Sequence, residues 1–493
     1  MFRSEYWYRF PWVMMLAVLA LAALGVAGIY SATCGGAEPI PFADTRAAKQ
    51  TVFLAVALVV FGLALLPGYT RLARWSYWFY ALTLALLVLL AAMRFLRIEI
   101  PGIIYPTNNA YSWICIPGSD QKVQPSELAK IAFIMSLAYY LRYRKNYRRF
   151  WGLLVPFAMA LVPTALVLYQ PDLGTAMMFL PVLFLMLFAA GARAKHLAAI
   201  VGLGLLCVPV FYASMHEYQR MRIDSWLLHG CAERLHFAVA RAEPADEDLE
   251  PSEAPGSQAA APAIARPRQG LSDDQKTDLV REITGMWRFR LWRLATRLSW
   301  GEDQADFAAA RRHLFASLEE GPNPKSFDAL RQFFGTLLAG PSHQLFQAKI
   351  AVGSGGLWGR GWLRGTQTRH GLLPEAATDF IFPVVAEQFG YLGAVAIVFL
   401  YGLLCLFGVD VSFSTTEPFG KLLVVGVVAL FAAQSFLNIA MSIGLMPVTG
   451  ITLPLMSYGG SSLVSSFLAL GLLCNVALRR LYLIAPRPFE WRE

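Results

Sequence analysis

The sequence predicts an all-α polytopic membrane protein of about ten transmembrane helices, with one large extracytoplasmic loop between spans seven and eight. Three observations predict it. Of 493 residues, 56% are hydrophobic and only 15% charged, against about 25% charged in an ordinary soluble domain, and the mean hydropathy is +0.48. A hydrocarbon core of ~30 Å needs about 20 apolar helical residues, and such stretches recur along the chain. Lys and Arg fall in short loops on one side only, the cytoplasmic side by the positive-inside rule. The net charge of +9 does not point to nucleic acid, because nucleic-acid domains place positive charge on a hydrophilic face, whereas here arginines punctuate apolar runs.

The spans are expected at 11–30, 50–67, 76–94, 127–142, 151–169, 173–191, 196–213, 380–408, 420–444 and 457–478. The first is read as a retained span rather than a signal peptide, since further spans follow at once. Arg3 and Arg9 precede span one, Arg71 and Arg74 follow span two, and Arg142, Arg144, Lys145, Arg148 and Arg149 lie between spans four and five. Arg193 and Lys195 separate spans six and seven, and Arg479, Arg480, Arg487 and Arg492 follow span ten. Both termini are therefore expected in the cytoplasm, with loops 31–49, 95–126, 214–379 and 445–456 outside. Six Cys without a Cys-x-x-Cys pair encode neither a disulfide framework nor a zinc ribbon; an oxidised Cys34–Cys115 pair between two outer loops stays open.

Three parts follow: spans one to seven (1–213), the outer loop (214–379), and spans eight to ten with a cytoplasmic tail (380–493). The loop is too long for a simple connection. Residues 242–270 are rich in Ala, Pro, Glu and Ser without an aromatic residue, the composition of a disordered linker. Residues 271–340 read as a helical insert: Ser272 and Gln275 are spaced as a capping box, and Leu279, Ile283, Met286 and Phe289 recur at near-helical intervals.

Four segments carry polar chemistry where the chain should be apolar. Gln124-Pro125-Ser126-Glu127-Leu128-Ala129-Lys130 opens span four; Pro and Ser explain the helix start, but Glu127 and Lys130, three apart on one face, need a cavity or each other. Gln170-Pro171-Asp172-Leu173-Gly174 is ordinary turn chemistry, except that Asp172 at the hydrocarbon boundary needs a partner, and Lys130 is the candidate. Gly353 to Gly361, with Arg360 and Arg364, leads to Glu375 and Asp379; such a basic glycine-rich string suits a pyrophosphate, or is a tight re-entrant loop that needs Gly for steric reasons. Met446 to Ser462, including Ser457, breaks the helix between spans nine and ten with Pro and Gly, which is tolerated where the freed backbone lines a cavity. All four are expected to converge on one outer vestibule.

In this order the motifs resemble the SEDS family (shape, elongation, division and sporulation), over about 10–225 and 345–482. Gly361-Trp-Leu-Arg-Gly-Thr-Gln367, then Leu-Pro-Glu375, and Thr-Asp379-Phe-Ile-Phe-Pro-Val-Val-Ala-Glu387, resemble the rod-shape elongation branch. The resemblance implies a peptidoglycan glycosyltransferase in the bacterial cytoplasmic membrane, which polymerises lipid II and pairs with a class B penicillin-binding transpeptidase. Motifs and resemblance together nominate Trp113, Glu127, Lys130, Asp172, Lys349, Arg360, Arg364, Glu375, Asp379 and Ser457 for substrate binding. Lys349 lies in Gln347-Ala-Lys349-Ile-Ala351, which the family also carries. Two departures stand out. The family's Arg before Trp113 is Ser112, and its Asp-Pro-x-Gly-x-Gly-Tyr segment, which supplies the catalytic Asp, is not recognisable among the roughly 120 residues that stand between Ile223 and Gln347-Ala-Lys349-Ile-Ala351, where the family has a few dozen.

Glycan polymerisation displaces undecaprenyl pyrophosphate from an anomeric carbon by a sugar 4-hydroxyl. That needs a carboxylate base, and cations for the leaving group, either Lys and Arg or a divalent ion such as Mg or Mn. Asp224, directly after the recognisable Tyr218-to-Ile223 stretch, is the first candidate for the base; carboxylates of the insert, Glu375 and Asp379 are the others. A scaffold that binds the transpeptidase without catalysis, or a lipid-linked precursor flippase, would use the same cavity.

Overall fold

The computed structural model describes residues 10–34, 41–98, 100, 111–115, 121–144, 148–215, 217–242, 271–298, 305–339 and 342–479. The expected linker, from 243 on, and the tail after Arg479 lie outside the described residues. Ten long apolar helices stand where the spans were expected: α1 (Trp12–Thr33), α2 (Arg46–Leu65), α3 (Tyr69–Leu96), α4 (Pro125–Leu141), α5 (Leu154–Tyr169), α6 (Leu173–Ala190), α7 (Ala194–Ser214), and, numbered by position in the chain, α15 (Ile381–Phe413), α16 (Pro418–Ser442) and α17 (Gly460–Arg479). Among the described residues, nine helical segments are long and apolar enough to cross a membrane. The tenth expected span, α4, has 17 residues, about 26 Å at helical rise. It is also buried almost all round, packed between α3 and α16, so that protein rather than lipid surrounds it.

The interior of the bundle is one apolar cluster contributed by the spans, with Phe133, Phe179, Phe431 and Phe467 among its fully buried members. The outside is equally apolar: Val59, Trp78, Leu206, Val210, Phe399 and Leu406 are each more than 60% exposed. Water would not tolerate that much contiguous apolar surface on a monomer; lipid does. Buried polar side chains inside the bundle tie connecting turns to the helices. Asn475, fully buried on α17, donates to the carbonyls of Ala64 and Pro67 and accepts from the Tyr69 amide, locking the α2–α3 turn.

Between α7 and α15 the chain forms a helical unit with its own core. Its helices are α8 (Glu217–Ala242), α9 (Asp273–Gly285), α10 (Trp287–Leu298), α11 (Ala305–Glu319), α12 (Pro324–Ala339), α13 (His343–Ser354) and the short α14 (Thr366–Arg369). Ser272 and Gln275 form the capping box read from the sequence. Leu228, Cys231, Val280, Ile283, Trp292, Leu330 and Phe333 make a second core, separate from that of the bundle. Helix α8 joins the two regions: one face enters this core, while Trp226 donates to the carbonyl of Gly444 (3.0 Å) in the α16–α17 connection.

Candidate functional site: a charged cavity at one end of the bundle

A cavity of about 660 Å³ opens where the broken segments meet. Its first wall is the hairpin β1 (Ile114–Cys115) and β2 (Lys122–Val123), which leads into α4. Gln124 N–H donates to Ser461 Oγ (3.1 Å), and Ser461 donates to the Lys122 carbonyl (3.0 Å), latching the hairpin to the start of α17. Trp113 and Lys122 line this wall. Cys34 and Cys115 are both free.

One helical turn inside, Lys130 Nζ stands 2.8 Å from Glu127 Oε1, with both side chains buried. Ser465 on α17 donates to the other Glu127 oxygen (2.9 Å). Asp172 lines the same cavity, so the expected cluster of Glu127, Lys130 and Asp172 forms. Its pairing differs from the expectation, however. Asp172 caps α6, accepting from Thr175 N–H (3.0 Å) and from Gln124 Nε2 (2.7 Å), while Lys130 is taken by Glu127. Turn and cap chemistry explains Asp172 locally.

The opposite wall comes from the turn before α15 and from the α16–α17 connection. Glu375, Thr378 and Asp379 line it; the Glu375 carbonyl accepts from the amides of Thr378, Asp379 and Phe380, which fixes the turn. Fully buried Asn438 on α16 donates to the backbone oxygens of Asp379 (2.9 Å) and Ile451 (2.6 Å), holding both strips of backbone side by side. Burial and the charge of Glu375 push the Asp379 carboxyl up to about 6, against the opposing pull of Arg222. Arg222, from α8, reaches into the cavity and donates through Nη1 to the Val448 carbonyl (3.3 Å).

The remaining nominated residues lie elsewhere. Asp224 is buried off the cavity and accepts from Tyr212 Oη (2.5 Å). Residues two apart on a helix point about 200° apart, so α8 cannot turn both Arg222 and Asp224 to the cavity. Lys349 on α13 faces the insert, with Nζ 2.6 Å from Glu233 Oε1 and His229 Nε2 3.2 Å from the same oxygen. Burial raises the Glu233 carboxyl, but the hydrogen bonds and charges of His229 and Lys349 outweigh it and hold the group down at about 2. Ser457 is buried, its Oγ accepting from Leu453 N–H (2.8 Å).

Arg360 and Arg364 are exposed, and Arg360 Nε donates to the Ser354 carbonyl (3.0 Å). The steric reading of the glycine-rich string is the one that holds. Helix α15 is broken at Gly390 (φ 68°), and the loop docks on the break backbone to backbone: Arg360 N–H to Glu387 O (2.9 Å), Gly361 N–H to Gln388 O (3.0 Å), Tyr391 N–H to Gly356 O (2.8 Å). A Cβ at Gly359 would overlap the Gln388 carbonyl. Beneath it, fully buried Glu387 accepts from the amides of Gln367 (2.7 Å) and Thr368 (3.1 Å) and from Thr368 Oγ1 (2.6 Å). This carboxylate, missed as a determinant in the sequence, anchors α14.

A family model described as cell cycle protein, FtsW/RodA/SpoVE, matches residues 11–230 and 323–481. The chain belongs to the FtsW/RodA/SpoVE family. The unmatched stretch, 231–322, contains α9 to α11 of the insert. Among family members, the peptidoglycan glycosyltransferase RodA of Treponema pallidum is 29% identical over 477 residues, 96% of this chain and 98% of that one. The peptidoglycan glycosyltransferase MrdB of Helicobacter pylori is 28% identical over 434 residues, covering 87% and 82%. Among solved structures, the rod shape determining protein RodA of Thermus thermophilus matches with a TM-score of 0.53 at 23% identity, over 96% of this chain and 97% of that one. A chain from a peptidoglycan synthase complex matches with 0.55 at 24%, over 95% and 97%. At these identities the structures speak for the fold alone, that of a multi-pass, all-α membrane protein of this family.

Proposed function

We propose that this chain is a peptidoglycan glycosyltransferase of the elongation type, polymerising lipid II into glycan strands at the outer face of the bacterial cytoplasmic membrane. The observation that carries the reading is the cavity, which gathers Lys122, Lys130, Arg222, Asp172, Glu375 and Asp379 from four distant segments at one end of an otherwise apolar bundle. Ionisable groups there are costly unless they serve a polar substrate. A lipid-linked sugar pyrophosphate fits the combination: the lipid stays in the bilayer, the cations meet the pyrophosphate, and the carboxylates face the sugar hydroxyls. The names of the family relatives support the same activity.

Both termini are assigned to the cytoplasm and the insert to the outside, on the one-sided distribution of basic loops. Alkaline phosphatase fused after residue 270 is then active and after residue 146 inactive; the reverse pattern refutes the orientation. A class B penicillin-binding transpeptidase is assigned as partner, supported by the match to a chain of a synthase complex. Among the described residues, no three His, Cys, Asp or Glu stand close enough together to hold a metal. We therefore assign any Mg or Mn requirement to an ion that arrives with the substrate's pyrophosphate, with Arg222 and Lys122 as the fixed cations. The test is strand synthesis from lipid II by the purified chain with its partner in liposomes, read on a gel. A glycan ladder supports the reading, and its absence across partners and divalent ions favours the scaffold.

A further inference from the structure

If the chain polymerises glycan, a carboxylate at the cavity must accept the proton of the attacking hydroxyl. Four carboxylates line the cavity, and their hydrogen bonds separate them. Glu127 has given one oxygen to Lys130 and the other to Ser465. Asp172 has given one to the Thr175 amide and the other to Gln124. In both, each oxygen already faces a donor within the protein, which leaves neither oxygen unengaged for a substrate hydroxyl. Glu375 is exposed on the turn and bonded by Thr378 Oγ1 (2.9 Å). Asp379 is different in position. Its Oδ2 lies 3.5 Å from the place a Cβ would occupy on Gly450, and Arg222 Nη1 lies 3.8 Å from that same place. Gly450, at φ 74°, is exposed to the cavity, so its missing side chain leaves a gap flanked by one carboxylate and one guanidinium.

We propose, on the reading that the chain polymerises lipid II, that this gap over Gly450 is where the glycosidic bond forms, with Asp379 as the general base and Arg222 as the cation facing the leaving group. The acceptor's 4-hydroxyl oxygen attacks the donor's anomeric carbon and its proton passes to Asp379. The new carbon–oxygen bond forms as the bond from that carbon to the pyrophosphate oxygen breaks. The bonding pair leaves with undecaprenyl pyrophosphate, whose added negative charge is met by Arg222. The groups that act on Asp379 are Glu375 and Thr378 from its own turn, Arg222 from α8 and Asp172 from the start of α6. Raised to about 6 by this setting, Asp379 has the basicity that proton abstraction near neutral pH calls for.

The experiment is the pH profile of strand synthesis, with thermal melting and lipid II binding measured in parallel, for wild type, Asp379→Asn, Asp379→Glu and Gly450→Ala. In the wild type the rate rises about tenfold per pH unit to a plateau entered near pH 6. Asp379→Asn loses ~10²–10⁴-fold in rate while binding lipid II, Asp379→Glu keeps part of the rate with its acid limb displaced, and Gly450→Ala slows turnover by filling the gap. Activity of wild type and Asp379→Asn alike, or an acid limb that stays put in Asp379→Glu, overturns the assignment and leaves the polymerase standing. A wild type that makes no strands overturns the polymerase, and the assignment with it. Should Asp379→Asn fail to fold, the Asp379→Glu limb decides.

Discussion

The cavity has two sides that handle charge in opposite ways. On the α4 side, Glu127 and Lys130 satisfy each other at 2.8 Å in a buried setting, with Ser465 taking the second carboxylate oxygen. On the α15 side, Asp379 and Arg222 flank the gap over Gly450 and meet the open volume. The first arrangement lets a charged pair exist inside the bundle and thereby fixes α4 against α17. The second sets charge against the open volume of the cavity. Buried charges are tolerated when they are paired, so the closed side reads as support and the open side as chemistry.

Lys130→Ala tests the closed side with the largest expected effect. It strands Glu127 without its partner, which costs about 3–5 kcal/mol for a buried pair, read as a fall in melting temperature in detergent. The double change Glu127→Gln with Lys130→Met should recover most of that loss. Arg222→Ala, on the open side, should cost under about 1 kcal/mol in the melt, as expected for a partly exposed ion, yet depress strand synthesis. Equal melts for Lys130→Ala and Arg222→Ala would erase the distinction.

Glu387, a carboxylate held by amides and hydroxyls, sharpens the comparison. Glu387→Ala removes an acceptor that holds two amides and two hydroxyls, each such bond to a charged group being worth about 1.5–3 kcal/mol. Hydrogen exchange should rise at residues 366–369, and Glu387→Gln should lose less. If neither change alters exchange there, the anchoring role given to Glu387 is wrong.

The Glu233–Lys349 pair, on α8 and α13, offers a pH handle. Its carboxyl is held at about 2 in the folded chain, against an ordinary value of 4.5. The group is therefore depressed, its contribution is present above about pH 4.5, and it is lost as pH falls toward 2. Acid melts should show this loss in wild type and a smaller one in Lys349→Met. The smallest effect belongs to Ser272→Ala. Loss of the capping box costs about 1 kcal/mol, confined to exchange at α9, with strand synthesis unchanged.

The spans were legible because each is an unbroken apolar run, and α4 was legible in spite of its length because Pro125 and Ser126 mark its start. Glu127 and Lys130 were legible because local helix geometry brings residues three apart together. The open side was not, since Arg222, Asp379 and Gly450 meet only through the packing of α8, α15 and the α16–α17 connection. Naming Asp224 as first candidate for the base did not account for helix phase, which turns Arg222 rather than Asp224 to the cavity. Around Arg360 and Arg364, glycines that let a loop dock on the broken α15 look in sequence like glycines that cradle an anion. In each case the sequence pattern was real and the partner was non-local.

The central claim is that strands are made inside this cavity. Gln344 lines it from α13 and makes a suitable plug site. Strand synthesis from lipid II should therefore be compared between wild type and Gln344→Trp, each in liposomes with the transpeptidase partner and with matched melting temperatures. Wild type should give a full glycan ladder and the plugged variant little or none, with partner binding retained. A ladder of equal length and rate from Gln344→Trp would contradict the claim.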